Sequence, residues 1–317
     1  MFARALLMLA AALLPALGQA ADYPTHAVKV VVPFPAGSST DLIGREVAQM
    51  LSTGTGQSFV VNNMPGAQST LGANAIAHAP ADGYSLLIGT TTSQSAAPSL
   101  MKNLPYNPAK DFTAITRVGA VVFAVLVRAD LPVKTVRELM DYGVANPGKL
   151  NWAYANAANQ VAGSAVVHAG KFTATGVPYK GVPQIITDLV GGQLDFAVTD
   201  LTVAAAYVTS GKLRALAVTS EKELPLLPGV PPISTAIPGF SIVGYYGLFA
   251  PVGTPQPIID AINKILIKGL DDPEFAKRME VAGMIPFPAG PAELGDYVAS
   301  ETTKWAKLAA EAGIQPE

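Results

Sequence analysis

The sequence predicts an α/β protein of two lobes, with mostly parallel sheets flanked by helices. Short β-rich apolar runs alternate along it with segments whose apolar residues recur at helical spacing. At 317 residues the chain also exceeds the usual size of one domain. Two apolar stretches, 118–127 and 242–250, are placed where the chain would pass between lobes. The expected division is therefore a discontinuous first lobe, 21–121 with 243–317, and a second lobe, 122–242.

The first segment bears on the compartment. Met1-Phe2-Ala3-Arg4 gives a short positive start, and 5–17 is an apolar run of signal-peptide length, too short to span a bilayer. Gly18-Gln19-Ala20 supplies small residues where a signal peptidase reads, so residues 1–20 are expected to be a cleaved export signal. No later stretch reaches the roughly 18 apolar residues of a membrane span.

The run 28–34 (VKVVVPF) reads as a buried strand, Pro35-Ala36-Gly37-Ser38-Ser39-Thr40 as a turn, and 41–52 as a helix with Ile43, Val47, Met50 and Leu51 on one face. A strand at 58–61, a helix at 70–79 and a strand at 84–88 follow, the last leading into the polar run Thr90-Thr91-Thr92-Ser93-Gln94-Ser95. A helix over 135–145 stops at Asn146-Pro147-Gly148. Strands at 150–154, 174–177, 195–198 and 213–219, with a helix at 183–190, make the second set of units. A proline-rich run, 225–238, breaks the pattern before helices over 255–270, 273–282 and 291–312 close the chain.

Composition removes several function classes. Lys+Arg number 21 against 23 Asp+Glu, and no basic patch points to nucleic acid. There is no cysteine, hence no disulfide framework and no thiolate chemistry. His26, His78 and His168 show no metal-ligand spacing. A hydrolase is the rival from another class, but no G-x-S-x-G elbow occurs. Gly54-Thr55-Gly56 lacks the rest of a phosphate or dinucleotide fingerprint, so neither enzymatic activity nor a cofactor is expected.

The run Tyr23-Pro24, then Val30-Val31-Val32-Pro33-Phe34-Pro35-Ala36-Gly37 ending at Asp41, resembles the opening of the Bug receptors, the TctC-like binding proteins of tripartite tricarboxylate transport. The likeness continues in order through Asn63-Met64-Pro65-Gly66-Ala67, Asp82-Gly83-Tyr84-Ser85-Leu86-Leu87, Pro105-Tyr106-Asn107-Pro108 and Pro147-Gly148-Lys149-Leu150. Val177-Pro178-Tyr179-Lys180-Gly181, Leu213-Arg214-Ala215-Leu216-Ala217-Val218-Thr219 and Gly247-Leu248-Phe249-Ala250-Pro251-Val252-Gly253-Thr254-Pro255 extend it over the mature chain. The resemblance implies a two-lobed, flytrap-like (type II-like) periplasmic-binding-protein fold without catalysis. It also implies a small carboxylate ligand held by backbone groups, hydroxyls and waters, with transporter subunits as membrane partner; the chain is expected to be a monomer. A receptor that signals to a sensor kinase is the alternative within this class.

The candidate site follows the strand ends. If Ser38 or Ser39 caps the first helix, its free N–H groups face the mouth of the sheet and can bind an anion without an arginine. Phe34, Ala36, Gly37, Ser38 and Ser39 are therefore ligand candidates, with Gly37 expected to keep bulk away from the donors. Asp41, an anion in the first turn, is assigned to helix stabilisation. One helix terminus offers about 0.3–1 kcal/mol at an exposed site, whereas micromolar affinity needs about 8 kcal/mol. Closure of the second lobe must supply the rest.

Thr91, Ser93 and Ser95 offer hydroxyls after the third strand, or form an ordinary surface loop. In the second lobe the candidates are Ala155, Asn156 and Asn159, where Asn156-Ala157-Ala158-Asn159-Gln160 replaces the glycine- and serine-rich loop that the resemblance implies. Amides that both donate and accept would suit a less purely anionic ligand, and a solvated loop is the alternative. Tyr179 belongs to the site or only packs its loop. Thr199 and Asp200 end a strand, where Asp200 either receives a ligand ammonium or starts the helix at Leu201. Of Tyr245 and Tyr246, alternation turns one toward the cleft, and Tyr245 is taken as that one.

Overall fold

The computed structural model describes residues 23–316; the expected export signal at 1–20 lies outside them. The strands in chain order are β1 (Val28–Val32), β2 (Phe59–Asn63), β3 (Ser85–Thr90), β4 (Phe112–Arg128), β5 (Leu150–Tyr154), β6 (Ala174–Pro178), β7 (Phe196–Asp200), β8 (Leu213–Val218), β9 (Val243–Pro251) and β10 (Met284–Ala289). The helices are α1 (Ser39–Thr55), α2 (Thr70–Ala77), α3 (Ala97–Leu100), α4 (Val136–Ala145), α5 (Ala157–Gly170), α6 (Val182–Val190), α7 (Leu201–Thr209), α8 (Gln256–Leu270), α9 (Pro273–Val281) and α10 (Pro291–Glu311).

Two sheets share one strand. In the first, β1 lies between β2 and β3, parallel to both, and β9 joins β3 to β4. In the second, β5 lies between β6 and β7, again parallel to both, and β7 and β8 flank the far end of β4. The expected parallel pairing thus holds at the outer strands, while every pairing of β4 is antiparallel.

β4 is the hinge of the architecture. Phe112 to Val122 pair with β9, whereas Phe123 to Val127 pair with β7, so a single 17-residue strand passes from one sheet to the other. The handover is held by Thr219, whose N–H donates to the Phe123 carbonyl at 2.9 Å and whose hydroxyl accepts from the Phe123 N–H at 3.0 Å. Ile242 N–H donates in turn to the Thr219 carbonyl at 3.0 Å. The return passage therefore runs from Thr219 to Ile242, the first residue of the 242–250 stretch, and β9 beyond it pairs only with first-sheet partners.

Burial explains the pattern of residues. Val30, Val31 and Val32 are fully buried because helices cover both faces of the sheet, which is why β1 reads as an apolar run broken only by the exposed Lys29 near its start. In the second sheet, β4 and β7 alternate between two cores: Ala124, Leu126 and Ala197 face the side of α6 and α7, and Val125, Val127, Phe196 and Val198 the side of α4 and α5.

Two elements escaped the sequence pattern. Residues 156–160, open to a loop reading, form the cap and first turn of α5. β10 was hidden by Pro286 and Pro288; it is tolerated because it pairs with β4 across a register break between Pro286 and Ala289.

Candidate functional site

The ends of β1 and β3 from the first sheet meet the ends of β5 and β7 from the second across a closed cleft, floored by the β4–β9 junction. It is lined by Phe34 and Thr40 after β1, Thr90, Thr91 and Thr92 after β3, and Asn156, Ala158 and Asp200 from the second sheet. Val121, Phe123, Gly244, Tyr245 and Tyr246 form the floor. Of the space between the walls, only about 20 Å³ admits the centre of a water molecule. That is room for about one water, not a solute, so entry requires the walls to part.

The first wall is the start of α1. Ser38 is its cap: the backbone is extended there and the hydroxyl accepts from Asp41 N–H at 3.2 Å. Asp41 plays the stabilising role expected of it. Its carboxylate accepts from Gly37 N–H at 3.0 Å, Arg45 Nε at 3.0 Å and Asn63 Nδ2 at 2.9 Å. Burial pushes this carboxyl up, but the hydrogen bonds from Arg45, Gly37 and Asn63 outweigh it and hold it below its ordinary value. Ser39 and Thr40, at the first two helical positions, keep N–H groups with no acceptor in the helix.

Gly37 itself takes a different role from the one expected. Its N–H is spent on Asp41, and a Cβ there would meet nothing within 4 Å, so bulk would not crowd the donors. What demands glycine is the left-handed backbone, φ +79°. Ala36 is exposed and does not line the cavity.

The polar run after β3 is a wound turn rather than a surface loop. Thr92–Ala96 is a π-helical turn, buried throughout and continued by α3. Thr91 lines the cavity while its hydroxyl accepts from Tyr245 N–H at 2.9 Å. Ser93 and Ser95 do not line it. The Ser93 hydroxyl accepts from Thr90 N–H at 3.0 Å, and Ser95 shares a hydrogen bond of 2.7 Å with the Tyr245 hydroxyl.

That bond also separates the roles of the tyrosine pair, both of which line the cavity. Tyr245 reaches the cavity, but its hydroxyl is committed to Ser95 inside the first lobe, with Tyr297 edge-on at 5.2 Å. Tyr246 carries the unpartnered buried hydroxyl beside Ser39, Thr40 and Asp200. Burial first, then the Asp200 charge, pushes this phenol well above its ordinary value, so it stays a neutral donor.

The second wall is the start of α5 and the end of β7. Asn156 caps α5, its side chain accepting from Asn159 N–H at 2.9 Å. Asn159 is fully buried, and neither its amide oxygen nor its amide nitrogen has a partner. Ala155 is buried behind the lining. Tyr179 lies outside it: its hydroxyl donates to Asp188 at 2.6 Å, and burial together with that bond pushes the phenol up to about 12. Thr199 is buried with an unpartnered hydroxyl.

Asp200 does start α7, as its N-cap residue, but makes no side-chain cap bond, so its carboxylate is not spent on the helix. Its Oδ2 instead accepts from the Ser39 hydroxyl across the cleft, and Oδ1 has no partner. Burial raises this carboxyl above its ordinary value, opposed by Ser39 and by the Asn159 amide, which lies near without reaching hydrogen-bond geometry.

Sequence reasoning missed Thr40, Thr90, Thr92, Val121, Phe123, Ala158, Gly244 and Tyr246. The strand alternation that singled out the tyrosine pair was the available signal for Tyr246. No described group of acidic or histidine side chains could hold a metal ion, and no described helix is long and apolar enough to cross a membrane.

Two lobes of sheet with parallel outer strands, joined by one shared β strand, with a polar cleft between strand ends, define a solute-binding protein of the periplasmic class. Solved structures share this architecture. The chain is 36% identical to the periplasmic binding protein BugD, covering 93% of this chain and 100% of that one at a TM-score of 0.88. It is 31% identical to Rpa4515 of R. palustris, solved with adipate, over 93% and 100% of the two chains, TM-score 0.90. MatC from Rhodopseudomonas palustris, solved with bound malate, is 30% identical over 90% and 99%, TM-score 0.85. Residues 43–314 match the tripartite tricarboxylate transporter family receptor, TctC, and the chain belongs to that family. Its members are periplasmic receptors that bind solutes such as carboxylates and are not enzymes.

Proposed function

We propose that this protein captures a small carboxylate in the periplasm by closing its two lobes, 21–121 with 243–317 and 122–242, and hands it to membrane subunits of a tripartite tricarboxylate-type transporter. Export would use residues 1–20. The observation that carries the reading is the set of unsatisfied polar groups at one interlobe space: the Thr40 N–H at the helix start on one wall, Asp200 Oδ1 on the other with the unpartnered Asn159 amide buried behind it, and the Tyr246 hydroxyl on the floor. Buried polar groups are nearly always paired, so a cluster without partners marks a place that a ligand completes. The adipate and malate held by relatives are the chemistry that helix-start donors suit.

A thermal-shift screen of carboxylates tests the capture step. A true ligand at about 100 times its dissociation constant should stabilise the protein by about 2.7 kcal/mol, and scattering should show contraction on saturation. Superimposable free and saturated curves would refute closure. Uptake of that ligand should be lost in a deletion strain. Intact uptake with lost ligand-induced transcription would make the protein a sensor instead.

A further inference from the structure

The cleft carries one formal charge, and it is negative. Among its lining residues there is no lysine, arginine or histidine, and Asp200 is the single carboxylate; the other titratable groups are the phenols of Tyr245 and Tyr246. Lys180, on the neighbouring rim loop, is exposed and does not line the space. Asp200 is buried, with one oxygen taken by Ser39 and Oδ1 left open. Behind it, buried and not lining the space, stands the Asn159 amide, open at both atoms.

The two walls therefore offer opposite chemistry. The α1 start presents donors, which suit a carboxylate. The Asp200 wall presents a carboxylate oxygen, which suits a group that donates hydrogen bonds. A purely anionic solute would add a second negative charge to a closed, water-poor space that holds no compensating cation, an arrangement that burial penalises heavily. A solute that brings its own positive charge avoids the penalty and fills the open acceptor.

Building on the carboxylate reading of this cleft, we propose that Asp200 is a specificity-determining residue and that the site takes a carboxylate also bearing a protonated nitrogen, an amino acid or short amino-carboxylate. The acid end meets the Thr40 N–H at the start of α1; the nitrogen donates to Asp200 Oδ1.

The test is calorimetry on the intact mature protein with matched pairs that differ in the nitrogen: aspartate against malate and succinate, glutamate against glutarate, 2-aminoadipate against adipate. The expected result is that at least one nitrogen-bearing member binds tenfold or more tightly than its counterpart. Asp200→Asn, checked for folding by circular dichroism, should bring that ratio toward one. Should the variant not fold, the unmodified protein still decides the matter. Repeating titrations in buffers of different ionisation enthalpy should show uptake of close to one proton with a nitrogen-free acid, since Asp200 must then be neutralised, and none with the amino member. Equal or tighter binding of the nitrogen-free acids without proton uptake would overturn the inference while leaving carboxylate capture intact. If no acid of either kind binds, the carboxylate reading falls and this inference with it.

Discussion

Gly181 and Pro35 meet across the mouth of the cleft so closely that a Cβ on Gly181 would stand 2.9 Å from the Pro35 ring at Cγ. Pro35 belongs to the loop after β1 and Gly181 to the start of α6, so this approach exists only while the lobes are together. The backbone of Gly181 is extended, φ −172°, a conformation any residue adopts. Nothing but the opposing lobe demands glycine there. Gly181→Val should leave the ligand-free protein as stable as before and raise the dissociation constant roughly tenfold or more, because overpacking costs about 1–3 kcal/mol and falls on the closed form alone. Titration calorimetry beside thermal unfolding separates the two effects. A variant that binds as tightly as the parent would show that the closed form is looser than described.

Tyr245 and Tyr246 are adjacent in sequence and opposite in role. Removing the Tyr245 hydroxyl breaks its 2.7 Å bond with Ser95, so Tyr245→Phe should cost about 0.5–1.5 kcal/mol in urea unfolding and leave ligand affinity nearly unchanged. Tyr246→Phe deletes a buried hydroxyl that has no partner without ligand, so the ligand-free protein should lose no stability. Affinity should instead fall about fivefold, the worth of one hydrogen bond. The opposite pairing of effects would return the site to Tyr245.

The framework was legible because it rests on periodic burial: the valine run of β1, the helical face of Ile43, Val47 and Leu51, and the Asn146-Pro147-Gly148 stop all read directly. Ser38 as cap and Asp41 as stabiliser were readable too, since capping is local chemistry. What escaped depends on distant partners. Nothing near Ser93 or Ser95 tells that their hydroxyls are spent on Thr90 and Tyr245, nor does Tyr179 announce Asp188. Two prolines disguised β10, because their missing donors count against a strand until the register break beside β4 is seen. The Ser39 bond to Asp200 joins residues 161 apart in the chain, and only the meeting of two lobes brings them together.

Asp41 sets how the first wall responds to acid. In the folded protein burial raises its carboxyl, yet hydrogen bonds from Arg45, Gly37 and Asn63 leave the balance below the ordinary value of 3.8. A carboxyl whose folded value is depressed binds protons more weakly folded than unfolded, so its contribution is complete above the unfolded value and drains away as pH falls through the folded one. The wild-type protein should therefore lose this contribution only below about pH 4, as the loop from Gly37 to Asp41 gives up its carboxylate acceptor. Asp41→Asn, which cannot titrate, should be less stable than the parent at pH 7 and show a flatter profile between roughly pH 5 and 2. Denaturant unfolding across that range measures both curves. Parallel profiles would place the acid sensitivity elsewhere and remove Asp41 as the residue that holds the donor loop in place.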